Sequence, residues 1–187
     1  MKAPLGWLAE HVALPEGITG RELGEVLIRA GLEVETVESV GTEIDGPVVV
    51  GRVLDKTDEP QKNGKTIHFC HVDVGEHGQR AQAGGDPEVT QEIVCGAHNF
   101  EAGDLVVVCL PGAVLAGGFE ITSRKTYGHP SNGMICSERE LGIGDDHDGI
   151  IVLSRYFADS PELVDALTPG QDAIALLGLD AEVVEVN

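Results

Sequence analysis

The sequence predicts a mainly β protein with an α+β part: a small five-stranded barrel inserted into a small α+β domain built from both ends of the chain. Three observations predict it. Between residues 93 and 153, short β-rich runs at 105–110, 119–126 and 149–153 alternate with turn signals at Pro111-Gly112, Gly117-Gly118 and Asn132-Gly133, as in small barrels and sandwiches. Upstream, β runs at 48–55 and 66–74 flank the hairpin signal Lys62-Asn63-Gly64-Lys65. The two ends, helix–helix–strand over about 1–40 and helix–strand over 155–187, are each too short to bury a core alone.

Taken in order, Pro4 and Leu5 begin a first helix that places Trp7, Leu8 and Val12 on one face, and Leu14-Pro15 ends it. Thr19 and Glu22 form a capping box for a second helix, with Leu23, Val26, Leu27 and Ala30 at helical spacing and Gly31 as its C-terminal stop. Residues 34–40 alternate as a strand. The run 48–55 is a strand whose extension ends at Asp58-Glu59-Pro60. The return run puts His68, Cys70 and Val72 on one face and Ile67, Phe69, His71 and Asp73 on the other. Gly84-Gly85-Asp86-Pro87 reads as a loop. A short helical piece at 137–141 interrupts the later strands, and this favours the five-stranded oligonucleotide/oligosaccharide-binding (OB) barrel over other small barrels and sandwiches. Pro161 opens a helix over 162–167, Thr168-Pro169-Gly170 breaks it, and an apolar piece at 173–177 precedes a strand at 181–186. The domains are therefore 1–40 with 155–187, and 41–154. The chain reaches Asn187 on an open strand pattern, which reads as part of a longer gene product.

Charge and composition narrow the function. The formal charge is −20, with 32 acids against 12 bases. Residues 45–153 carry eight bases and 17 acids, so the barrel is not a basic domain, and any nucleic-acid binding would need its bases gathered on one face. Strong sequence-independent binding of nucleic acid, which rests on neutralising phosphates, is disfavoured. Only seven residues are aromatic, and a Val, Ile, Leu and Ala core suits a small barrel. The start of the chain lacks a signal-peptide pattern and no apolar run is long enough for a membrane span, so a cytoplasmic, non-membrane protein is expected. Cys70, Cys95, Cys109 and Cys136 form no C-x-x-C pair and read as buried free thiols.

Catalytic and metal motifs are sparse. His68-x-Cys70-His71 offers two ligands on one strand face, short of a zinc set. The acidic loop Asp145-Asp146-His147-Asp148 reads as solvated rather than as a cation site. Cys95 near His98 has the residue types of a nucleophile and base, but adjacency in sequence is poor support for such a pair. No Walker A, G-x-S-x-G, H-E-x-x-H or dinucleotide fingerprint is present. No catalytic residue, metal site or cofactor is assigned to these residues.

Several blocks together carry a resemblance: Ile93-Val94-Cys95-Gly96-Ala97 with Asn99; Leu110-Pro111-Gly112-Ala113; Gly117-Gly118-Phe119; Gly133-Met134-Ile135-Cys136-Ser137-Glu138 with Glu140-Leu141-Gly142; and Asp145-Asp146-His147 before Gly149-Ile150. With Trp7-Leu8, LPEGITGRELGEVLIRAGLEVE and the final DAEVVEVN, the chain closely resembles the N-terminal region of bacterial phenylalanyl-tRNA synthetase β subunits, including their tRNA-binding domain. The piece at 76–92 fits least. The resemblance implies an OB barrel inserted into a winged-helix-like domain. It also implies a parent enzyme that joins phenylalanine to its tRNA using ATP and Mg²⁺, with an α-subunit partner in a two-α, two-β assembly. The synthetic and editing sites would lie outside this chain, which would be a tRNA-binding and assembly module. A free-standing tRNA-binding or protein-interaction OB module is the alternative; a small metal-dependent enzyme is a third class. OB barrels bind nucleic acid on one sheet face and its loops. The candidate RNA contacts are Arg52, Lys65, His68, Asn99, Arg124, Lys125, Asn132, Ser137 and Arg139, the basic residues for phosphates and the small polar ones for base edges or the 2′-hydroxyl. The resemblance points most to Asn99 and Ser137. Tyr127 is the one aromatic close to this set.

Overall fold

The computed structural model describes residues 1–39, 43–78 and 91–187. Its elements run β1 (Lys2–Pro4), α1 (Leu5–His11), α2 (Gly20–Arg29), β2 (Val34–Ser39), β3 (Val48–Pro60), β4 (Thr66–Asp73), β5 (Gln91–Cys95), β6 (Leu105–Cys109), β7 (Val114–Leu115), β8 (Phe119–Glu120), β9 (Arg124–Thr126), β10 (His129–Ser131) and β11 (Met134–Ile135). Three short helices, α3 (Leu153–Tyr156), α4 (Pro161–Ala166) and α5 (Ala173–Leu176), precede the last strand, β12 (Glu182–Val186). The loop expected at 84–87, the end of the strand expected at residue 40 and most of the segment 76–92 lie outside the described residues.

Two compact units are present, Met1–Thr42 with Ile174–Asn187, and Glu43–Ala173. In the terminal unit β12 lies between β1 and β2, antiparallel to both, so the two ends of the chain share one sheet. The capping box forms: Glu22 N–H donates to Thr19 Oγ1 at 3.3 Å, and Thr19 N–H donates to Glu22 Oε2 at 2.9 Å. Glu182 of β12 adds a carboxylate to the same helix start, accepting from Gly20 N–H at 2.6 Å. A negative group there meets the free N–H groups and the positive end of the helix dipole.

The second unit holds an antiparallel sheet in the order β11-β6-β3-β4-β5. Its edges approach each other where Val94 N–H donates to Ser131 Oγ (3.1 Å) and Asn132 N–H to Glu92 O (2.8 Å), giving a nearly closed five-stranded barrel of the OB type. Every residue of β6, which is paired on both sides by β11 and β3, is buried. The core gathers Val53, Cys70, Val72, Ile93, Phe100, Val106, Val108 and Ile135.

The strands differ from the sequence expectation in four places. β3 runs on to Pro60, because a bulge between Val53 and Asp55 turns its second half out of the barrel and β4 pairs with it throughout. The expected strand 119–126 is two pieces: β8 pairs with β7 and β9 with β10, and buried Ile121 is drawn in by a hydrogen bond to Ala113 O (2.8 Å). The helix expected at 137–141 is a set of turns. The strand expected at 149–153 is reduced to the single bridge between Val106 and Val152, after which the chain enters α3. Residues up to 173 group with the barrel rather than with the terminal unit, because Val50 N–H donates to Gln171 O and Gly170 N–H to Val50 O, both at 2.8 Å.

All four cysteines are buried free thiols. Burial pushes Cys70 up to about 12 and Cys95 up to about 11, and raises Cys136 well above its usual range. The folded chain therefore keeps protons that unfolded thiols lose above about pH 8.5. This contribution to stability is complete below that pH and is lost as pH rises toward the folded values, at most about 1.4 kcal/mol per pH unit for each thiol. The expected result is a denaturation midpoint that falls steadily above about pH 8.5. At neutral pH a thiol reagent should label the cysteines only after denaturant is added. Rapid labelling of the native chain would contradict this burial.

Candidate nucleic-acid interface

The sequence RKTYGHPS folds as the β9–β10 hairpin, with Thr126 opposite His129, Lys125 opposite Pro130 and Arg124 opposite Ser131. Two side chains dock it on the barrel. Ser131, 6% exposed, accepts from Val94 N–H through its hydroxyl and donates to Gly133 O at 3.3 Å. The His129 ring stacks on Phe69 with centroids 4.2 Å apart, and its Nε2 lies 2.9 Å from a carboxylate oxygen of Glu59. With one face fixed in this way, Arg124 and Lys125 are left exposed.

A shallow hollow of about 400 Å³ follows, lined by Ser123, Arg124, Lys125, Gly128, Pro130 and Asn132. Two of the chain's 12 bases and none of its 32 acids line it. Among the described residues neither base is in an ion pair. The Arg124 guanidinium sits 5.8 Å from the centroid of the Phe119 ring, which is 49% exposed. Such a site presents two fixed positive charges, an amide and peptide groups to an anion, the chemistry of phosphate contact.

Three of the nine sequence candidates, Arg124, Lys125 and Asn132, thus meet in one hollow. Lys65 is exposed at the tip of the β3–β4 hairpin, just beyond the Pro60 and Thr66 pair. Arg139 is exposed within the turn segment. Arg52 donates to Gly103 O at 3.3 Å. The remaining three serve the fold. His68, 2% exposed, lies inside the barrel with Nδ1 2.7 Å from Asp58 Oδ1 and Nε2 2.8 Å from His98 Nδ1. Asn99 donates to Ile150 O (2.8 Å) and accepts from Ile150 N–H (2.9 Å), which holds the last barrel segment. Ser137, 4% exposed, donates through its hydroxyl to Glu140 Oε2 at 2.8 Å. His68 and Ser137 are buried and their polar atoms are paired within the chain, as buried polar groups must be; Asn99 is exposed, but its amide oxygen and nitrogen are both engaged by Ile150.

The chemical alternatives fare differently. Cys95 holds its proton at neutral pH, since burial raises it to about 11, and His98 Nδ1 is engaged by His68 rather than by the thiol. Among the described residues no group of three or more His, Cys, Asp or Glu side chains could hold a metal. No helix of the described residues is long and apolar enough to cross a membrane. Sequence reasoning did not foresee Phe119 or the Phe69 and His129 stack. The latter joins residues 60 positions apart and had no local signal.

A nearly closed antiparallel five-stranded barrel, with a cationic hollow on an otherwise acidic chain, defines an OB-type nucleic-acid-binding domain. The family model described as "Putative tRNA binding domain" matches residues 48–158, which include the β9–β10 hairpin. The chain belongs to this tRNA-binding domain family. Its relatives include the phenylalanine–tRNA ligase β subunits of Bifidobacterium longum, 52% identical over 98% of this chain and 21% of that protein, and of Thermobifida fusca, 54% identical over 100% and 20%. The β subunit of Leifsonia xyli subsp. xyli is 53% identical over 100% of this chain and 21% of its own. The chain therefore spans about a fifth of the length of these relatives.

Proposed function

We propose that this chain is the tRNA-binding and assembly module near the N-terminus of a phenylalanine–tRNA ligase β subunit, and that the β9–β10 hollow is where it meets tRNA phosphates. The observation that carries the reading is the gathering of Arg124, Lys125 and Asn132, without a lining acid, inside the segment matched by the tRNA-binding family model. The parent would be a cytoplasmic enzyme that joins phenylalanine to its tRNA, with an α-subunit partner in a two-α, two-β assembly. The small terminal unit, read as winged-helix-like, would frame the barrel as an insertion.

ATP and Mg²⁺ belong to the parent's chemistry. Among the described residues the acids of 145–148 form no converging set for Mg²⁺: Asp146 Oδ1 accepts from Asp148 N–H at 3.0 Å, and the Asp146 backbone carbonyl accepts from the Arg139 backbone N–H at 3.1 Å. No catalytic step is derived from these residues. Their role is to bind and orient, adding effective concentration to tRNA contacts made elsewhere in the parent.

A salt titration of tRNA binding tests the proposal. Two cations neutralise few phosphates, so the expected dissociation constant is roughly 10⁻⁴–10⁻⁶ M at physiological salt. The slope should be shallow, about 0.7 per contact for unpaired regions, and should flatten by about 1.4 in Arg124→Ala/Lys125→Ala. Nanomolar binding at physiological salt, or binding that the double substitution leaves unchanged, would place the interface elsewhere.

A further inference from the structure

The turn of the β9–β10 hairpin consists of Tyr127 and Gly128, with φ of 51° and 90°. Two successive left-handed residues joining two strands make a type I′ turn, whose first position favours Asn, Asp or Gly. Tyr127 is the one non-glycine residue with positive φ among the described residues. A bulky side chain there carries a steric cost that Asn or Gly would escape. Among the described residues no side-chain hydrogen bond or aromatic contact of Tyr127 offsets that cost. The ring is 52% exposed, and among the described residues it has neither a hydrogen-bond nor an aromatic partner.

The surroundings supply a reason. Tyr127 follows Lys125 by two positions and precedes Gly128, both of which line the cationic hollow. On the neighbouring β8, Phe119 is likewise exposed, and the Arg124 guanidinium lies over its ring. Along the chain, two exposed aromatic residues thus flank two cations that, among the described residues, form no ion pair. Cations that hold phosphates beside rings that receive bases are the parts of a site for unpaired nucleic acid. In an A-form duplex the bases are stacked and closed to such rings.

Resting on the tRNA-binding reading above, we propose that Tyr127 at the hairpin turn, with Phe119 beside Arg124, offers stacking platforms for unpaired nucleobases, so that this hairpin takes single-stranded loops or ends of RNA in preference to helical stems.

The test uses the 187-residue chain. A fluorescently labelled, unstructured RNA strand is titrated with protein, alone and annealed to its complement. The unpaired strand should bind more tightly than the duplex. Tyr127→Ala should weaken binding of the unpaired strand by about 5- to 150-fold, the range found for removing one stacking partner. Tyr127→Phe should stay within about twofold, because the π-face is kept. Tyr127→Asn separates binding from folding: its melting temperature should equal or exceed that of the wild type, because Asn suits the turn, while its binding falls as in Tyr127→Ala. Duplex binding should respond to Arg124→Ala/Lys125→Ala and ignore Tyr127. Unpaired-strand affinity unchanged by Tyr127→Ala and Tyr127→Asn, or equal affinity for strand and duplex, overturns the stacking proposal and leaves the tRNA reading standing. Failure of the wild type to bind tRNA or either probe overturns both.

Discussion

Phe100→Ala should cost the barrel about 3–5 kcal/mol, the range for emptying a buried aromatic site. Phe100 lies between β5 and β6, has no exposed surface and packs among Val53, Cys70, Val106 and Val108. Its ring also meets the edge of His68 at 5.9 Å between centroids and lies 5.1 Å from Lys56 Nζ. Lys56 in turn donates to Phe100 O at 2.9 Å. Removing the ring opens a cavity in the floor of the barrel, which the paired strands on either side cannot collapse to fill. A small domain has only about 5–15 kcal/mol in total, so this is a large share of it. The measurement is urea denaturation followed by far-ultraviolet circular dichroism: the midpoint should fall with the slope unchanged. Tryptophan fluorescence would mislead, because the single Trp7 lies in the terminal unit. Phe100→Leu should lose markedly less. If Phe100→Ala loses under about 1 kcal/mol, the ring is not the core element described.

Gly46→Ala should be the next most costly change, although it adds one methyl group to an exposed residue. Gly46 has φ of 86°, and an added Cβ would stand 2.7 Å from Gly112 O and 2.9 Å from Ala113 Cα. Both neighbours are backbone, held by the reciprocal Asp45 and Val114 hydrogen bonds at 3.0 and 2.7 Å, so neither can step aside cheaply. The left-handed backbone costs an alanine about 1–2 kcal/mol, and the forced contact about 1–3 more. Gly64→Ala isolates the first part: its φ of 79° is similar, but nothing lies within 4 Å of the added carbon. Comparison of the two midpoints gives the cost of the contact. Equal losses would mean that the chain relaxes around Gly46 and that the close approach has no energetic consequence.

The hairpin turn at residues 62–65, the capping box and the face carrying His68, Cys70 and Val72 were legible in the sequence, because turn chemistry, capping and strand alternation are local. So was the barrel type, through the resemblance in residues 93–150. The candidate site was legible in part. Arg124, Lys125 and Asn132 could be named from their residue types and from their place near the strand ends. His68 and Asn99 looked as available as the cations, because their partners are distant in sequence; Ser137 had a local signal, since Glu140 three residues on exchanges hydrogen bonds with it. Asn99 meets Ile150 across 51 positions, and His68 meets His98 across 30. The dipeptide Tyr127-Gly128 between two β runs was a signal that could have been read as a strained turn.

The sequence by itself determined where the chain turns, which strand faces are apolar, that both ends carry apolar pieces too small to stand alone, and which family the chain belongs to. The first three follow from conformational preference and side-chain period, which act over a few residues; the family follows from the resemblance carried by the residue blocks between 93 and 150 and at both ends. The tertiary structure alone decided that β3 bends at a bulge and continues to Pro60, that residues 119–126 divide between two hairpins, and that two cations in a chain of charge −20 share one hollow free of acids. Each of these depends on which distant strand supplies the hydrogen bonds. Closure of the sheet makes that choice, because it satisfies every strand at once.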